Sequence, residues 1–497
     1  MNEVPIAGEA DDRQARQSDL GRRARSGAAW IVFGFGAGQV LRLAANIALA
    51  ALLQEEVFAL MAIVAALMQG LAMFSDIGLR SSMVQNPRGD DDAFIDTAWT
   101  LQVIRGGILC IMAMALAWPL ASLYGANDSA ALQLRWLIPI VAITAVIDGF
   151  QSSRFLTAAR QMQIGRMTRL EMVVQLTNAV VMLSLAWLMR SVFALAIAAV
   201  VASALRMALS YWMLPGRRSR FHLEKAALNS ILSFGQWIFL STMLAFLSMQ
   251  IDRLVFAGLF PLADVGVYSI AASLAMLVGV LAGSLQTSVI FPWYSRMLDE
   301  GVPLDEAFRR TRAPILLMST FACSQLVAGA GSFFELAYSH RYVDGATYLP
   351  ILAVGAWFST VESMYGSAFL ATGRSRWVAF VGATKVVSFL AFLVPVMLFD
   401  APMWAGALIA MASEVARTLA AQILGRKMGL RNVRIETGML ALLVVTGALG
   451  LGLVNFVPWV AGLHPAWRLV LVGLVSSLIF MPLFLRHFWP LIRRRMG

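Results

Sequence analysis

Residues 192–214 read VFALAIAAVVASALRMALSYWML, an apolar stretch in which Arg206 is the only charged residue. A helix that crosses the hydrocarbon core of a bilayer needs about 20 mostly apolar residues, and this stretch is long enough. Three basic residues follow closely, Arg217, Arg218 and Arg220, as expected where a membrane span ends in the cytoplasm. The stretch therefore predicts a transmembrane helix with a cytoplasmic carboxyl end.

The same pattern recurs along the whole chain. Of its 497 residues, 59% are hydrophobic and 13% are charged, whereas soluble domains carry about 25% charged residues. The sequence therefore predicts an all-α polytopic membrane protein. We count fourteen spans: 27–52, 57–77, 97–118, 132–152, 172–189, 192–214, 234–258, 265–292, 313–333, 348–370, 375–399, 402–422, 436–459 and 466–486.

The distribution of Lys and Arg predicts the orientation. With a cytoplasmic amino terminus, 29 of the 39 basic residues fall in cytoplasmic segments, and only Arg190, Arg341 and Arg468 fall on the other side. This asymmetry follows the positive-inside rule and predicts that both termini are cytoplasmic. Residues 1–26 then form a polar cytoplasmic leader, and residues 487–497 form a basic tail. The net charge of +11 therefore reflects membrane topology, and no nucleic acid partner is expected.

A weak internal repeat predicts two lobes. Residues 30–67 resemble residues 237–274, and each copy begins near a Trp-Ile pair and carries a late arginine, Arg42 or Arg253. Six spans separate the copies, so both have the same orientation, and a substrate site is expected between such repeats. We expect an N-lobe over 27–214, a linker over 215–233, a C-lobe over 234–422 and an appended helix pair over 436–486.

Several function classes are excluded by residues that are missing. Cys110 and Cys323 lie in apolar runs, and no histidine has the spacing of a metal-ligand set. The chain has no Gly-x-x-x-x-Gly-Lys loop, so direct use of ATP is not expected. The outward loops are at most about 15 residues long, too short to hold an enzyme's chemistry beside a membrane. The sequence therefore predicts a protein that is not an enzyme and has no cofactor.

Recognisable motifs lie around the seventh and eighth predicted spans and at a few other places in the chain. They are Ser233-Phe234-Gly235, Gln250-Ile251-Asp252-Arg253, Val265-Gly266-Val267-Tyr268, Phe291-Pro292, Phe74 to Leu79, Met83-Val84-Gln85, Tyr342 to Leu352 and Gly373-Arg374. These motifs resemble those of the polysaccharide-export flippases of the multidrug/oligosaccharidyl-lipid/polysaccharide superfamily. The resemblance covers about residues 24–430, although Phe58-Ala59-Leu60 stands where Gly-x-Tyr is usual.

The resemblance implies a function. Such a protein would turn an oligosaccharide on polyprenyl pyrophosphate from the inner to the outer leaflet of the bacterial cytoplasmic membrane by alternating access. Its expected partners are membrane lipids, the lipid-linked sugar, and the polymerase and glycosyltransferases of one pathway. Two alternatives remain open: a cation-coupled exporter of drugs or metabolites from the same superfamily, and a flippase for the lipid-linked peptidoglycan precursor.

Charged residues inside the predicted spans are the candidate site, because each costs at least about 2.5–3.5 kcal/mol at the bilayer centre. Away from the first and last three residues of each span, basic residues outnumber acids by seven to four, which suits an anionic cargo better than a cationic one. The candidates to bind pyrophosphate are Arg42, Arg105, Arg206, Lys385 and Arg253, since Arg and Lys pair well with phosphate oxygens. The candidates for gating or for coupling to a proton or sodium ion are Glu362, Asp252, Asp148 and Glu414.

Structural roles compete with these assignments. Arg135 lies near the end of its span and is expected to reach the interface. Glu414 and Arg417 are three residues apart, so they are expected to pair on one helix face. Asp148 is expected to act as a gate or to contact Arg154. Asp252 and Arg253 suit a contact that closes the lobes as well as they suit substrate binding.

Overall fold

The computed structural model describes residues 36–75, 91–155, 158, 164–214, 217, 219–399, 401–430 and 433–496. The described residues are helical apart from short turns and connections, and no strand occurs among them. Eleven helices in this part of the chain are long and apolar enough to cross a membrane. The prediction of an all-α polytopic protein is therefore confirmed.

Sixteen α-helices follow one another in the described ranges. The first eight are α1 (Gly36–Leu52), α2 (Glu55–Phe74), α3 (Asp92–Gly125), α4 (Leu134–Gly149), α5 (Ile164–Met189), α6 (Val192–Trp212), α7 (Lys225–Phe256) and α8 (Leu262–Leu285). The others are α9 (Phe291–Asp299), α10 (Leu304–Ala337), α11 (Gly345–Ala371), α12 (Ser375–Leu398), α13 (Met403–Arg426), α14 (Val433–Phe456), α15 (Pro458–Ala461) and α16 (Pro465–Met496).

Every predicted span overlaps one of these helices. Three of the spans fall on helices outside the eleven, namely α1, α7 and α11. The count of fourteen spans, the cytoplasmic termini and the lobe boundaries stay predictions. The predicted leader over 1–26 lies outside the described residues.

The described residues cluster into two compact units. Those of the first lie within 1–53, 67–122 and 132–242, and those of the second lie within 54–66, 123–131 and 243–497. Within the first unit, α6 packs against both α4 and α5. The helices α3 and α4 approach closely at Gly106, where an added Cβ would lie 2.4 Å from the carbonyl oxygen of Ala145. Only glycine permits this approach.

A segment of the first unit without regular secondary structure, residues 219–224, lies against the start of α3, and we call it the strap. Three alternate backbone N–H groups of the strap donate to side chains on α3: Arg220 to Asp96 at 3.1 Å, His222 to Thr100 at 3.0 Å and Glu224 to Thr97 at 3.0 Å. The Phe221 ring lies 4.9 Å from that of Trp99. Just before the strap, the Arg217 guanidinium lies 2.6 Å from the Asp96 carboxylate. The strap is therefore tied to a helix more than 100 residues earlier in the chain.

The second unit is built around α11. This helix packs against α8, α10 and α13, while α14 and α16 pack against α10. Its buried aromatic residues Trp357 and Tyr365 belong to one hydrophobic core cluster with Phe308 of α10. In α8, Gly266 is needed for close packing, because an added Cβ would meet the carbonyl oxygen of Glu55 at 1.9 Å.

The predicted span 265–292 does not form one continuous α-helix. The helix α8 ends at Leu285, a π-helical turn covers Gln286–Ile290, and α9 begins at Phe291. Pro292 lies in the first turn of α9. Proline lacks a backbone N–H and is accommodated at such a position. The change of helix type therefore occurs where the proline removes a hydrogen-bond donor.

Candidate functional site: a charged cavity in the second unit

A cavity of about 380 Å³ lies inside the second unit. Its wall is apolar along α8 and the first half of α11, where alanine, glycine and methionine predominate. Five charged residues also line it: Asp252, Arg253, Lys385, Glu414 and Arg417. Four of these belong to the candidate site predicted from sequence, and Arg417 is the predicted partner of Glu414.

Lys385, Glu414, Arg417 and Glu362 form a continuous chain of ion pairs, which we call the charge network. The Lys385 Nζ lies 2.6 Å from Glu414 Oε1, and the Arg417 Nη1 lies 3.2 Å from Glu414 Oε2. The other terminal nitrogen of Arg417, Nη2, pairs with the Glu362 carboxylate. The predicted pairing of Glu414 with Arg417 is therefore present, and Lys385 and Glu362 extend it at both ends.

Three helices bring the charge network together. Lys385 lies near the middle of α12, Glu414 and Arg417 lie on one face of α13, and Glu362 lies in the second half of α11. Since α13 packs against both α11 and α12, its two charged residues connect the other helices. Glu362 is 3% exposed, and the side chains of Lys385 and Glu414 are 15% and 13% exposed. Burial at this depth requires paired charges, because an isolated ion loses its hydration without compensation.

Asp252 and Arg253 lie on α7, in the wall of the same cavity. The Tyr268 hydroxyl of α8 donates a hydrogen bond to Asp252 Oδ2 at 2.6 Å. Arg253 Nη1 donates one to Gln250 Oε1 at 3.5 Å. Asp252 is thus held by a buried phenol. Tyr268 belongs to the Val265-Gly266-Val267-Tyr268 motif that carried the family resemblance, and in the structure it orients a carboxylate in the cavity wall.

Arg105 and Asp148 lie in a second cavity, of about 440 Å³, inside the first unit. The Arg105 guanidinium donates to Ser75 Oγ at 2.8 Å and to the Ala72 carbonyl oxygen at 2.6 Å. Asp148 Oδ1 accepts from Ser203 Oγ at 2.6 Å and from Gln151 Nε2 at 2.7 Å. The structure therefore brings these two predicted residues, which carry opposite charges, to the wall of one cavity.

The other predicted residues lie elsewhere in the first unit. Arg42 is exposed on α1 and is not among the residues that line these two cavities. Arg206 pairs with Glu171 of α5: its Nε lies 3.2 Å from Glu171 Oε1, and its Nη2 lies 3.2 Å from Glu171 Oε2. Arg135, expected at the interface, lies 5.8 Å from the ring of Trp136.

A buried ion pair in the second unit was missed by sequence reasoning. Arg312 of α10 is wholly buried and pairs with the Glu436 carboxylate of α14. Its guanidinium also donates to the Tyr365 hydroxyl at 3.2 Å and stacks 4.8 Å from the Phe308 ring. Arg312 lies one residue before the predicted span 313–333, so its position in the sequence predicts an exposed cytoplasmic residue. Its place inside α10, which begins at Leu304, shows that it is a core residue.

Solved structures with the same fold are transporters of lipids and small molecules. The fold is similar to that of a structure described as "Lipid II flippase MurJ, inward closed conformation", with a TM-score of 0.69 and 12% identity, over 92% of this chain and 98% of that one. It is also similar to an inward-facing multidrug resistance MATE family transporter of the MOP superfamily, with a TM-score of 0.60 and 15% identity, over 80% and 96% of the two chains. At these identities the similarity establishes the fold alone.

The chain belongs to the polysaccharide biosynthesis protein family, whose model matches residues 48–347. It is 22% identical over 179 residues to a "Putative O-antigen transporter" of Shigella flexneri, covering 35% of this chain and 42% of that protein. It is also 22% identical over 157 residues to the "Lipopolysaccharide biosynthesis protein WzxC" of Escherichia coli strain K12, covering 32% of each. The resemblance stated from the sequence motifs is thereby confirmed. The matches span less than half of these relatives.

Proposed function

We propose that this protein is a flippase that moves an oligosaccharide linked to polyprenyl pyrophosphate from the inner to the outer leaflet of the bacterial cytoplasmic membrane. It is a transporter and not an enzyme. The movement would proceed by alternating access, with the substrate site open to one side of the membrane at a time. The product would feed the synthesis of a surface polysaccharide such as O-antigen, capsule or exopolysaccharide.

The family match over residues 48–347 is the observation that carries this proposal. It assigns the chain to polysaccharide biosynthesis, while the fold is one that solved flippases and exporters share. A transporter fold in that pathway suits the step in which the lipid-linked sugar passes from the leaflet where it is assembled to the leaflet where it is used. The O-antigen transporter among the relatives supports the same task.

The charges inside the two units support an anionic cargo. Both cavities present arginine, whose planar guanidinium binds phosphate oxygens two at a time. Arg105 is the strongest candidate in the first unit, because it lines a cavity with polar neighbours. A cation-coupled exporter would favour a cavity dominated by acids, whereas the wall of the second-unit cavity has three basic residues and two acids, and Glu362 behind it balances the third basic charge. The lipid-linked peptidoglycan precursor carries the same pyrophosphate and remains the second candidate cargo.

A deletion strain of the source bacterium tests this function. The strain would be complemented with the wild type, Arg105→Ala, Arg105→Lys, Arg42→Ala or the control Arg135→Ala, with membrane levels of each protein checked. We expect the empty deletion strain to lose surface polysaccharide and to accumulate lipid-linked sugar accessible only from the cytoplasmic side. Wild type and Arg135→Ala should restore export, Arg105→Ala should not, and Arg105→Lys should restore part of it.

Two results would change the assignment, and a third would change the role given to an arginine. Normal surface polysaccharide in the deletion strain would refute the polysaccharide flippase and favour the exporter. Arrest of cell-wall synthesis, with intact surface polysaccharide, would identify the peptidoglycan precursor as cargo. Full export by Arg42→Ala or Arg105→Ala would show that the arginine concerned is structural.

A further inference from the structure

We propose that two carboxamide side chains on α5 of the first unit, Gln175 and Asn178, bind the sugar part of the cargo through its hydroxyl groups. We call this pair the amide strip. The inference rests on the proposed function, which supplies a cargo made of a lipid, a pyrophosphate and a saccharide. Its ligand is an uncharged ring with several hydroxyl groups.

The amide strip lies on the inner face of a membrane-spanning helix. Glu171, Gln175 and Asn178 share one side of α5, because residues four and seven positions apart return to the same side of a helix. The opposite side carries exposed apolar residues, among them Leu176 and Val180 at 57% exposure each. Since α5 is long and apolar enough to cross a membrane, its polar side is turned away from lipid. Polar residues placed in this way are typical of substrate pathways.

The oxygen atoms of the amide strip lack hydrogen-bond donors. Within the part of the chain that the structure describes, Gln175 Oε1 and Asn178 Oδ1 are both buried, and neither accepts a hydrogen bond. A buried acceptor without a donor is unfavourable, and the large majority of such groups in proteins are paired. Two of them on one side of one helix therefore indicate a partner that comes from outside the chain.

The charge around the amide strip favours a neutral ligand. Glu171, one turn before Gln175, is paired with Arg206 of α6 through two contacts, so this pair carries no net charge. A carboxamide has an acceptor oxygen and two N–H donors, and a hydroxyl group also donates and accepts. Neighbouring hydroxyl groups of a sugar ring can therefore pair with both ends of one carboxamide, whereas an ionised phosphate oxygen only accepts.

The amide strip lies close to Arg42, a predicted ligand of the pyrophosphate. Gln175 lies against the backbone of α1, since a Cβ added to Gly38 would meet Gln175 Oε1 at 2.5 Å. Arg42 is exposed and lies four residues after Gly38, on the same side of α1 and about 6 Å further along it. In the proposed cargo the first sugar is attached directly to the pyrophosphate. An arginine and a carboxamide one helical turn apart match that order of groups.

A purely structural role for the amide strip makes the opposite prediction for stability. If the carboxamides held α1 against α5, replacing them with apolar side chains would destabilise the protein. If their oxygens are unpaired until the sugar binds, the same replacement removes an unfavourable buried group and leaves the free protein equally or more stable. Gln175→Met and Asn178→Leu keep the approximate shape of each side chain, so they separate the two roles.

Binding of two lipids to the full-length protein in detergent, measured by native mass spectrometry, tests the inference. One probe is undecaprenyl pyrophosphate, which has no sugar, and the other is the lipid-linked oligosaccharide extracted from the deletion strain. The proteins are the wild type, Gln175→Met, Asn178→Leu, the double variant and Leu176→Met. The last is the matched control, because it changes the lipid-facing side of the same helix. The melting temperature of each protein would be measured in the same detergent.

We expect the wild type and Leu176→Met to bind the glycosylated lipid at least about tenfold more tightly than undecaprenyl pyrophosphate, since two carboxamides gain hydrogen bonds. Each single variant should weaken binding of the glycosylated lipid about fivefold, as for the loss of one hydrogen bond. The double variant should bind both lipids with similar affinity. Binding of undecaprenyl pyrophosphate should be unchanged throughout, and no melting temperature should fall below that of the wild type.

Three outcomes would overturn the inference. An unchanged preference for the glycosylated lipid in the double variant would show that the amide strip does not contact the sugar. A lower melting temperature together with weaker binding of both lipids would assign the strip to helix packing. Equal affinity of the wild type for the two lipids would remove the sugar site and leave the flippase in place, because export in the deletion strain is measured separately. Failure of the inference is therefore distinguishable from failure of the flippase assignment.

Discussion

Breaking the buried pair of Arg312 and Glu436 is expected to destabilise the second unit by several kcal/mol. The substitution Arg312→Met keeps the apolar contacts with Phe308 and Tyr365 but leaves the Glu436 carboxylate, 3% exposed, without its cation. Removing one partner of a buried ion pair typically costs about 3–5 kcal/mol, since the other charge stays buried and uncompensated. The same cost is expected for Glu436→Gln, which leaves the arginine unpaired.

The double substitution Arg312→Met with Glu436→Gln should be much milder. It removes both charges, and the new amide still accepts a hydrogen bond from Gln422, whose Nε2 now lies 2.6 Å from Glu436 Oε2. We expect a loss of about 2 kcal/mol or less, because replacing both members of a buried pair is often close to neutral. The double variant should therefore be more stable than either single one.

Equilibrium unfolding in mixed micelles, followed by tryptophan fluorescence, measures these differences. Trp357 is one of the 14 tryptophans of the chain and lies in the same core cluster as Phe308 and Tyr365, so this region contributes to the signal. Arg135→Met is the control and should change the stability by less than about 0.5 kcal/mol, as is usual for an exposed residue. A loss below about 1 kcal/mol for Arg312→Met, or a double variant as unstable as the sum of the single ones, would refute the reasoning.

Two further predictions concern packing and the strap. Gly266→Ala should lower the free energy of unfolding by about 1–3 kcal/mol or more, because its Cβ would overlap a backbone carbonyl group. Gly283→Ala is the control, since an added Cβ there meets open space in the same helix. Equal unfolding free energies for the two variants would contradict the packing argument. Thr97→Val removes the acceptor of the Glu224 N–H and should raise the rate of amide hydrogen exchange in the strap about fivefold, which corresponds to about 1 kcal/mol for one hydrogen bond. The control is Thr384→Val, which should leave exchange in the strap unchanged, because the Thr384 hydroxyl donates within its own helix. Unaltered exchange in Thr97→Val would show that the strap is held by other contacts.

The helices could be predicted from sequence because hydropathy is averaged over a stretch of many residues and does not depend on any single one. A span of about 20 apolar residues remains recognisable when its ends are misplaced by several positions. The ends were in fact misplaced: α5 begins at Ile164, eight residues before the predicted span 172–189. Because of that shift, Glu171 lies just outside the predicted span and is absent from the predicted intramembrane charges, although it is the partner of Arg206.

Ion pairing across helices was harder to predict than the charges themselves. The spacing of Glu414 and Arg417 indicated their pairing directly, since residues three apart share a helix face. Lys385 and Glu362 lie on other helices, 29 and 52 residues away from Glu414, and no local pattern connects them to it. Their pairing depends on how α11, α12 and α13 pack, which is a tertiary property. Arg312 illustrates the same limit, because a charge beside a predicted span looks exposed until the helix around it is known.

The strap shows that the connection between α6 and α7 is a packed part of the first unit. Its hydrogen bonds to α3 are followed directly by α7, whose first turn packs there too, because Ala227 belongs to one core cluster with Phe94 and Ala98. The first unit ends only at residue 242, partway along α7. The covalent passage from one unit to the other therefore lies inside a helix, and a chain cut at the strap would separate α7 from the segment that anchors its first turn.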